Sequence, residues 1–153
     1  MQPNIVVGWK KIILINLCKI ASMQKVVLFD GVCNLCNSSV QKLIRWDKKE
    51  TLKFASLQSK FGQRLLSDLK LDKDNFTSIL YLKGNQVFTR STAAILILTD
   101  LGGGWKIMRI FYLIPKILRD KIYDWISKNR YKWFGKKEQC WLPTPELKKR
   151  FLN

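Results

Sequence analysis

The run Val26-Val27-Leu28-Phe29-Asp30-Gly31-Val32-Cys33-Asn34-Leu35-Cys36 constrains this chain more than any other stretch. A short apolar, β-branched segment breaks at Asp30-Gly31, and a Cys-x-x-Cys pair follows where the next helix begins. A dithiol on a strand-to-helix turn points to thiol–disulfide redox chemistry. The reacting species in such exchange is the thiolate, and a free cysteine with a pKa of about 8.5 is mostly thiol at neutral pH. At a helix N-terminus, unpaired N–H groups and the helix dipole stabilise the Cys33 thiolate. The two-residue spacer predicts that Cys36 lies one turn deeper and less exposed, placed to resolve a mixed disulfide. The expected roles are Cys33 as nucleophile and Cys36 as resolving thiol. The spacer Asn34-Leu35 carries no positive charge, so nothing in it favours an extreme oxidant.

Asp30 has two readings. A partly buried carboxylate beside the pair relays a proton to or from Cys36. Alternatively its side chain only caps the turn that Gly31 allows. Other chemistries fit less well. A zinc site needs ligands beyond Cys33 and Cys36, and only Cys18 and Cys140 remain, so no metal is expected. An aspartate phosphatase lacks its second Asp, because Val32 stands two residues on. A Cys-x5-Arg phosphate loop fails at Ser39 and Lys42. Histidine is absent, which excludes Cys-His and Ser-His nucleophile pairs and any imidazole base. Four unevenly spaced cysteines do not make a secreted disulfide scaffold.

The 153 residues suit a single domain with a real core. The expected division is a dispensable N-terminal extension over 1–22, with Met23 as an alternative initiator, and one domain over 23–153. The segment Trp9 to Leu17 imitates a signal peptide, but its apolar core is short and Lys19 interrupts it. The net charge of +17 is unusual. It admits nucleic acid or anionic membrane as partners without singling either out. A cytoplasmic location is expected, with a membrane-peripheral one as the alternative.

Lys25 to Phe29 reads as a buried strand, and Val40, Leu43, Ile44 and Trp46 fall at helical spacing after Cys36. Leu52 to Ala55 reads as a second strand. Ser56 or Ser59 then caps a helix running through Phe61, Leu65, Leu66 and Leu69. Thr77 to Leu82 and Gln86 to Thr89 form a hairpin about Lys-Gly-Asn. Ser91 is the expected N-cap of a helix from Thr92 to about Asp100, closed by Gly102 to Gly104. The order β-α-β-α-β-β-α is that of an α/β, thioredoxin-like three-layer fold with a small mixed sheet. A helical tail over about 104–153 follows, in which Trp105 to Leu113 and Leu118 to about Asn129 are separated by Pro115. The apolar stripes of this tail, Ile107, Ile110, Phe111, Ile114, Ile117, Leu118, Ile122, Trp125 and Ile126, are expected to pack on their own domain. A basic amphipathic helix on an anionic membrane is the alternative. Arg90, Ser91 and Thr92 form a second candidate site, where a helix N-terminus and a cation suit a carboxylate such as that of glutathione. An ordinary Ser cap is the plainer reading.

Several blocks resemble the bacterial DCC (Asp-Cys-Cys) thiol-disulfide oxidoreductase family of the thioredoxin-like group. These are Asp30 to Cys36, Phe54 to Ser59, Thr89 to Ala94, Leu101 to Gly103, Arg119-Asp120, Asn129 to Gly135, and a closing block from Cys140 to Phe151 with Pro143. The resemblance covers about Val26 to Leu152. It implies disulfide oxidoreductase activity with Cys33 and Cys36 as the redox pair; independently of it, the expected substrate is a disulfide-containing protein or a low-molecular-weight thiol such as glutathione, with no bound cofactor. One departure from the thioredoxin group stands out: Asn75-Phe76-Thr77-Ser78 replaces the region that usually carries a cis-proline facing the dithiol. A binding module that uses the basic tail, with a sensing or structural dithiol, is the competing function.

Overall fold

A computed structural model describes residues 25–71, 78–84, 86–138 and 144–152. The proposed 1–22 extension, Met23, Cys18, Cys140, Pro143 and the proline-free Asn75 to Thr77 lie outside them.

Alternation along β1 (Lys25–Phe29) decides the layering. Val27 and Phe29 point to one side of the sheet and Val26 and Leu28 to the other, and all four are buried. A strand apolar on both faces needs cover on both. On one side Val27 and Phe29 meet Val40 and Leu43 of α1 (Asn34–Trp46) and Ala93 and Ile97 of α3 (Arg90–Asp100). On the other, Val26 and Leu28 meet Leu65 and Leu66 of α2 (Lys60–Asp68). The result is the expected three-layer α/β arrangement.

The sheet order is β2-β1-β3-β4. β2 (Leu52–Ser56) runs parallel to β1, with Val27 opposite Phe54. β3 (Leu80–Lys83) and β4 (Gln86–Thr89) form the hairpin and continue the sheet antiparallel. Ser59 caps α2, its hydroxyl accepting from the Gly62 N–H at 3.1 Å. Gly62 sits where an added Cβ would lie 2.2 Å from the Ser56 carbonyl, so this helix crosses β2 too closely for any other residue.

The remaining expectations need correction in three places. Ser91 is not the cap of α3; the helix starts at Arg90 with Thr89 in the cap position, and the Ser91 hydroxyl is drawn instead to Asp120 at 2.5 Å. Gly103–Leu113 is a 3-10 helix, and after Pro115 the helix α4 (Lys116–Phe134) runs five residues past the expected end, to stop at Gly135 with φ +79°. The apolar stripes of this tail do not pack inward. Ile107, Ile110, Ile117, Leu118, Ile122 and Trp125 are each more than half exposed, because α4 turns Asp120, Tyr123, Ser127 and Arg130 toward α3 and the sheet.

The C-terminal segment closes the edge of the sheet. Phe151 pairs with Phe54 as an isolated parallel bridge, and the Leu152 N–H reaches the Phe54 carbonyl at 2.8 Å. Arg150 is buried and meets the buried Asp47 carboxylate at 2.5 Å. Asp47 in turn accepts the Thr51 and Leu52 N–H groups, so one carboxylate ends α1, starts β2 and anchors the C-terminus. Removing one member of such a pair leaves a buried charge. Arg150→Ala is therefore expected to cost about 3 kcal/mol in urea unfolding, and Asp47→Asn with Arg150→Met to cost less than Arg150→Ala alone.

Candidate functional site

The turn after β1 builds the site. Asp30 closes an Asx turn, its Oδ1 accepting from the Val32 N–H at 3.1 Å. The Gln58 amide clamps the same turn, donating to Asp30 Oδ1 at 3.0 Å and accepting from the Gly31 N–H at 3.0 Å. Asn37 donates to the Gly31 carbonyl at 2.9 Å. The turn is thus held at both ends, and it delivers Cys33 to the N-cap position of α1.

Cys33 is extended (φ −84°, ψ 123°), and its Sγ accepts from the Cys36 N–H at 3.4 Å. The sulfur therefore takes the role that a Ser or Asp oxygen plays in an ordinary cap. Both cysteines are free thiols. The Cys36 thiol donates to Cys33 and lowers the Cys33 pKa to about 6, with the Cys36 N–H and the Arg130 charge adding to the effect against the cost of burial. The same hydrogen bond, together with burial, pushes Cys36 far above the ordinary thiol range. One thiolate and one thiol share a proton donor.

The expected order of exposure of the two cysteines is reversed. Cys33 is 0% exposed, while Cys36 is half-buried and opens onto a cavity. The reason is the chain beyond α4. Gly135 to Lys137 crosses the Val32–Asn34 turn as a strap, pairing Cys33 with Lys136. Its bonds run from the Lys137 N–H to the Val32 carbonyl at 2.8 Å and from the Asn34 side chain to the Phe134 carbonyl at 2.8 Å. Gly135 is required there, since its φ is positive and an added Cβ would lie 3.1 Å from the Asn34 amide.

Arg130, which sequence reasoning did not single out, completes the site. Its Nη2 meets Asp30 Oδ2 at 2.6 Å, with both side chains buried, and the Tyr131 hydroxyl bonds the same oxygen. The turn-cap reading of Asp30 is thus seen directly, and the carboxylate also holds a cation beside the dithiol. A signal was available: an acid next to a Cys-x-x-Cys, inside an apolar strand end, requires a cation, and the Asn129–Gly135 block carries two. The cavity on the Cys36 side has a volume of about 400 Å³ and mostly apolar walls, among them Leu35, Ile79, Ile97, Tyr123 and Ile126.

Arg90, Ser91 and Thr92 are placed differently from the redox pair. Arg90 pairs with Asp124 at 3.4 Å and Ser91 with Asp120, so the carboxylates they hold belong to α4. Thr92 is half-buried, and α3 contributes Ala94, Ile97 and Leu98 to the cavity instead. Among the described residues no group of three or more His, Cys, Asp or Glu side chains is arranged to hold a metal ion.

The model of the DCC1-like thiol-disulfide oxidoreductases matches residues 27–136, from β1 to the strap. The chain belongs to this family. It is 51% identical over 128 residues to the uncharacterized protein YuxK of Bacillus subtilis (strain 168), covering 84% of this chain and 93% of that one. It is 30% identical over 116 residues to a chloroplastic DCC family protein of Arabidopsis thaliana, covering 75% and 67%. No solved structure matches. In this DCC1-like chain the matched span holds Asp30, Cys33, Cys36, Arg130 and Tyr131 together.

Three outcomes are expected. Alkylation of Cys33 should rise with pH to half its maximum near about 6, and Arg130→Gln should move that midpoint upward while Arg130→Lys holds it closer to wild type. The same ionisation stabilises the reduced fold: a lowered thiol pKa contributes stability that is present above the ordinary thiol range and lost as pH falls through about 6. Cys36 acts oppositely, its contribution being lost as pH rises above the ordinary thiol range. Urea unfolding of the dithiol form, compared with Cys33→Ser, should therefore show a stability gain between these limits. Separately, Asn34→Ala removes a bond to the strap and should speed Cys33 alkylation at fixed pH, read by mass spectrometry of the labelled peptide.

Proposed function

We propose that this protein catalyses thiol–disulfide exchange with Cys33 as nucleophile and Cys36 as resolving thiol. The observation that carries the reading is the Cys33 sulfur at the cap of α1, accepting the Cys36 N–H beside the Arg130 guanidinium. A group so placed is a thiolate near neutral pH, which is what attack on a disulfide requires.

In the reducing direction the Cys33 thiolate attacks one sulfur of a substrate disulfide. A Cys33–substrate bond forms, the substrate S–S bond breaks, and the departing sulfur leaves as a thiolate. With Cys33 now one sulfur of a neutral mixed disulfide, the hydrogen bond that held the Cys36 proton is lost, and Cys36 gives that proton to the departing sulfur. The Cys36 thiolate then attacks Cys33, breaking the Cys33–substrate bond, forming the Cys33–Cys36 disulfide and releasing the second substrate sulfur as a thiolate. Two electrons pass from the dithiol to the substrate, and two molecules of an external thiol, glutathione or another, return the pair to its reduced form and are themselves joined as a disulfide. Asp30 acts by fixing Arg130 and the turn. Attack at Cys33 requires the strap over Val32–Asn34 to move, which its few main-chain bonds permit.

A redox titration read by protein mass tests the proposal. Wild type should lose the mass of two hydrogen atoms over a single transition, and Cys33→Ser and Cys36→Ser should not form the intramolecular bond. Cys36→Ser should trap a mixed disulfide with a small thiol at Cys33. Failure of wild type to form a Cys33–Cys36 disulfide at any potential overturns the reading.

A further inference from the structure

The apolar side chains of the tail that fail to pack inward make an ordered surface. A 3-10 helix has three residues per turn, so residues three apart line up along it. In Gly103–Leu113 this puts Ile107, Ile110 and Leu113 on one ridge, at 65%, 57% and 82% exposed. Lys106 and Arg109 occupy the next ridge and are also exposed. Trp105, on the third, turns inward and stacks on Trp46 with ring centroids 4.3 Å apart.

α4 repeats the division. Leu118, Ile122, Trp125, Ile126 and Trp133 share one arc at helical spacing, and the Trp125 and Trp133 rings meet edge to face at 4.9 Å. Lys121, Lys128 and Lys132 form the adjoining stripe, all exposed. Among the described residues none of these five cations is in a salt bridge. The two acids of these elements are engaged elsewhere, Asp120 with the Ser91 hydroxyl and Asp124, its side chain 40% exposed, with Arg90. The elements adjoin where the Arg119 guanidinium lies 5.0 Å over the Tyr112 ring.

From this pattern we propose that the face formed by Gly103–Leu113 and α4 docks on the surface of an anionic lipid bilayer. Exposed aliphatic ridges bordered by unpaired lysines match both parts of such a surface, acyl boundary and anionic headgroup. Trp125 and Trp133 suit the boundary between them. A second copy of this chain fits poorly, because a symmetric contact would bring the lysine stripes of two molecules, each of net charge +17, together. Among the described residues no helix is long and apolar enough to cross a membrane, so the contact is with the surface. Ile126 belongs both to the apolar arc and to the wall of the Cys36 cavity, and docking therefore brings that cavity beside the lipid.

The test is sedimentation of the full-length protein with vesicles. Wild type should bind vesicles of phosphatidylcholine containing phosphatidylglycerol, bind phosphatidylcholine alone far less, and release as salt rises. Leu113→Ser with Ile117→Ser and Ile122→Ser should weaken binding at least about tenfold. Lys121→Gln with Lys128→Gln and Lys132→Gln should weaken it at least about tenfold and flatten the salt dependence. Both variants should keep the wild-type Cys33–Cys36 redox transition, which verifies their fold. No binding by wild type overturns the proposal, as does binding that neither variant weakens. It is equally overturned if the protein is a dimer that the serine variant converts to monomer with vesicle binding unchanged, or if wild type binds duplex DNA and no vesicles.

Discussion

The buried pair of Asp30 and Arg130 is the interaction on which the site depends. It joins the turn after the first strand to a residue one hundred positions later, near the end of α4. Neither partner is affordable alone at that depth, since an isolated buried charge costs several kcal/mol. Together they do three things. They bring α4 against the open side of α1 and so form one wall of the cavity at Cys36. They position the end of α4 so that Gly135 to Lys137 crosses the Val32–Asn34 turn. They also fix the Arg130 guanidinium beside Cys33, where its charge lowers the thiol pKa and the Asp30 carboxylate partly opposes it. Loss of the pair would therefore disturb substrate access, strap and thiolate together, even though neither residue is a sulfur.

Activation and access are set by different parts of the molecule. The thiolate is favoured by what lies on the α1 side of Cys33: the Cys36 thiol and N–H, the helix end, and the Arg130 charge. Access is set by the strap on the opposite side. Because the strap is joined by a few main-chain bonds and one Asn34 side-chain bond, it is held more weakly than the turn beneath it, which Asp30, Gln58 and Asn37 all secure. The local opening free energy should differ accordingly, with the strap at the low end. Opening of the strap can then expose Cys33 without loosening the turn that Asp30, Gln58 and Asn37 secure.

Much of this was legible in the residues. The double-sided apolar β1, the helical spacing after Cys36, the Ser59 cap and the β3–β4 hairpin all follow local rules, and each is seen where those rules placed it. The redox pair is legible for the same reason, as Cys-x-x-Cys needs only a turn and a helix to take shape. What was not legible depends on phase and distance. Counting apolar residues in α4 predicts that Ile117, Ile122 and Trp125 face inward, yet the inward face is the polar one, because Asp120, Tyr123 and Arg130 have partners on Ser91, Ile79 and Asp30. Satisfying those groups outweighs the ordinary rule that the apolar stripe goes inside. The reversed exposure of Cys33 and Cys36 is likewise invisible locally, since the distant Gly135–Lys137 segment pairs with the main chain at Cys33 and not at Cys36.

The absence of histidine gives the Arg130 assignment a further consequence. A histidine beside the dithiol would lose its charge within the range where Cys33 ionises, and the two titrations would blur into each other. An arginine stays protonated throughout, so its field on the sulfurs is constant. The pH response of the pair is then governed by the thiols themselves: the single proton held between Cys33 and Cys36, and the order in which it leaves. With Asp30 bound to the same guanidinium, the cation is fixed in place without being removed from the electrostatics of the sulfur. Charge that cannot titrate, fixed by a carboxylate across the fold, gives the dithiol the same field from mildly acidic to mildly alkaline pH, while Cys33 itself titrates at about 6.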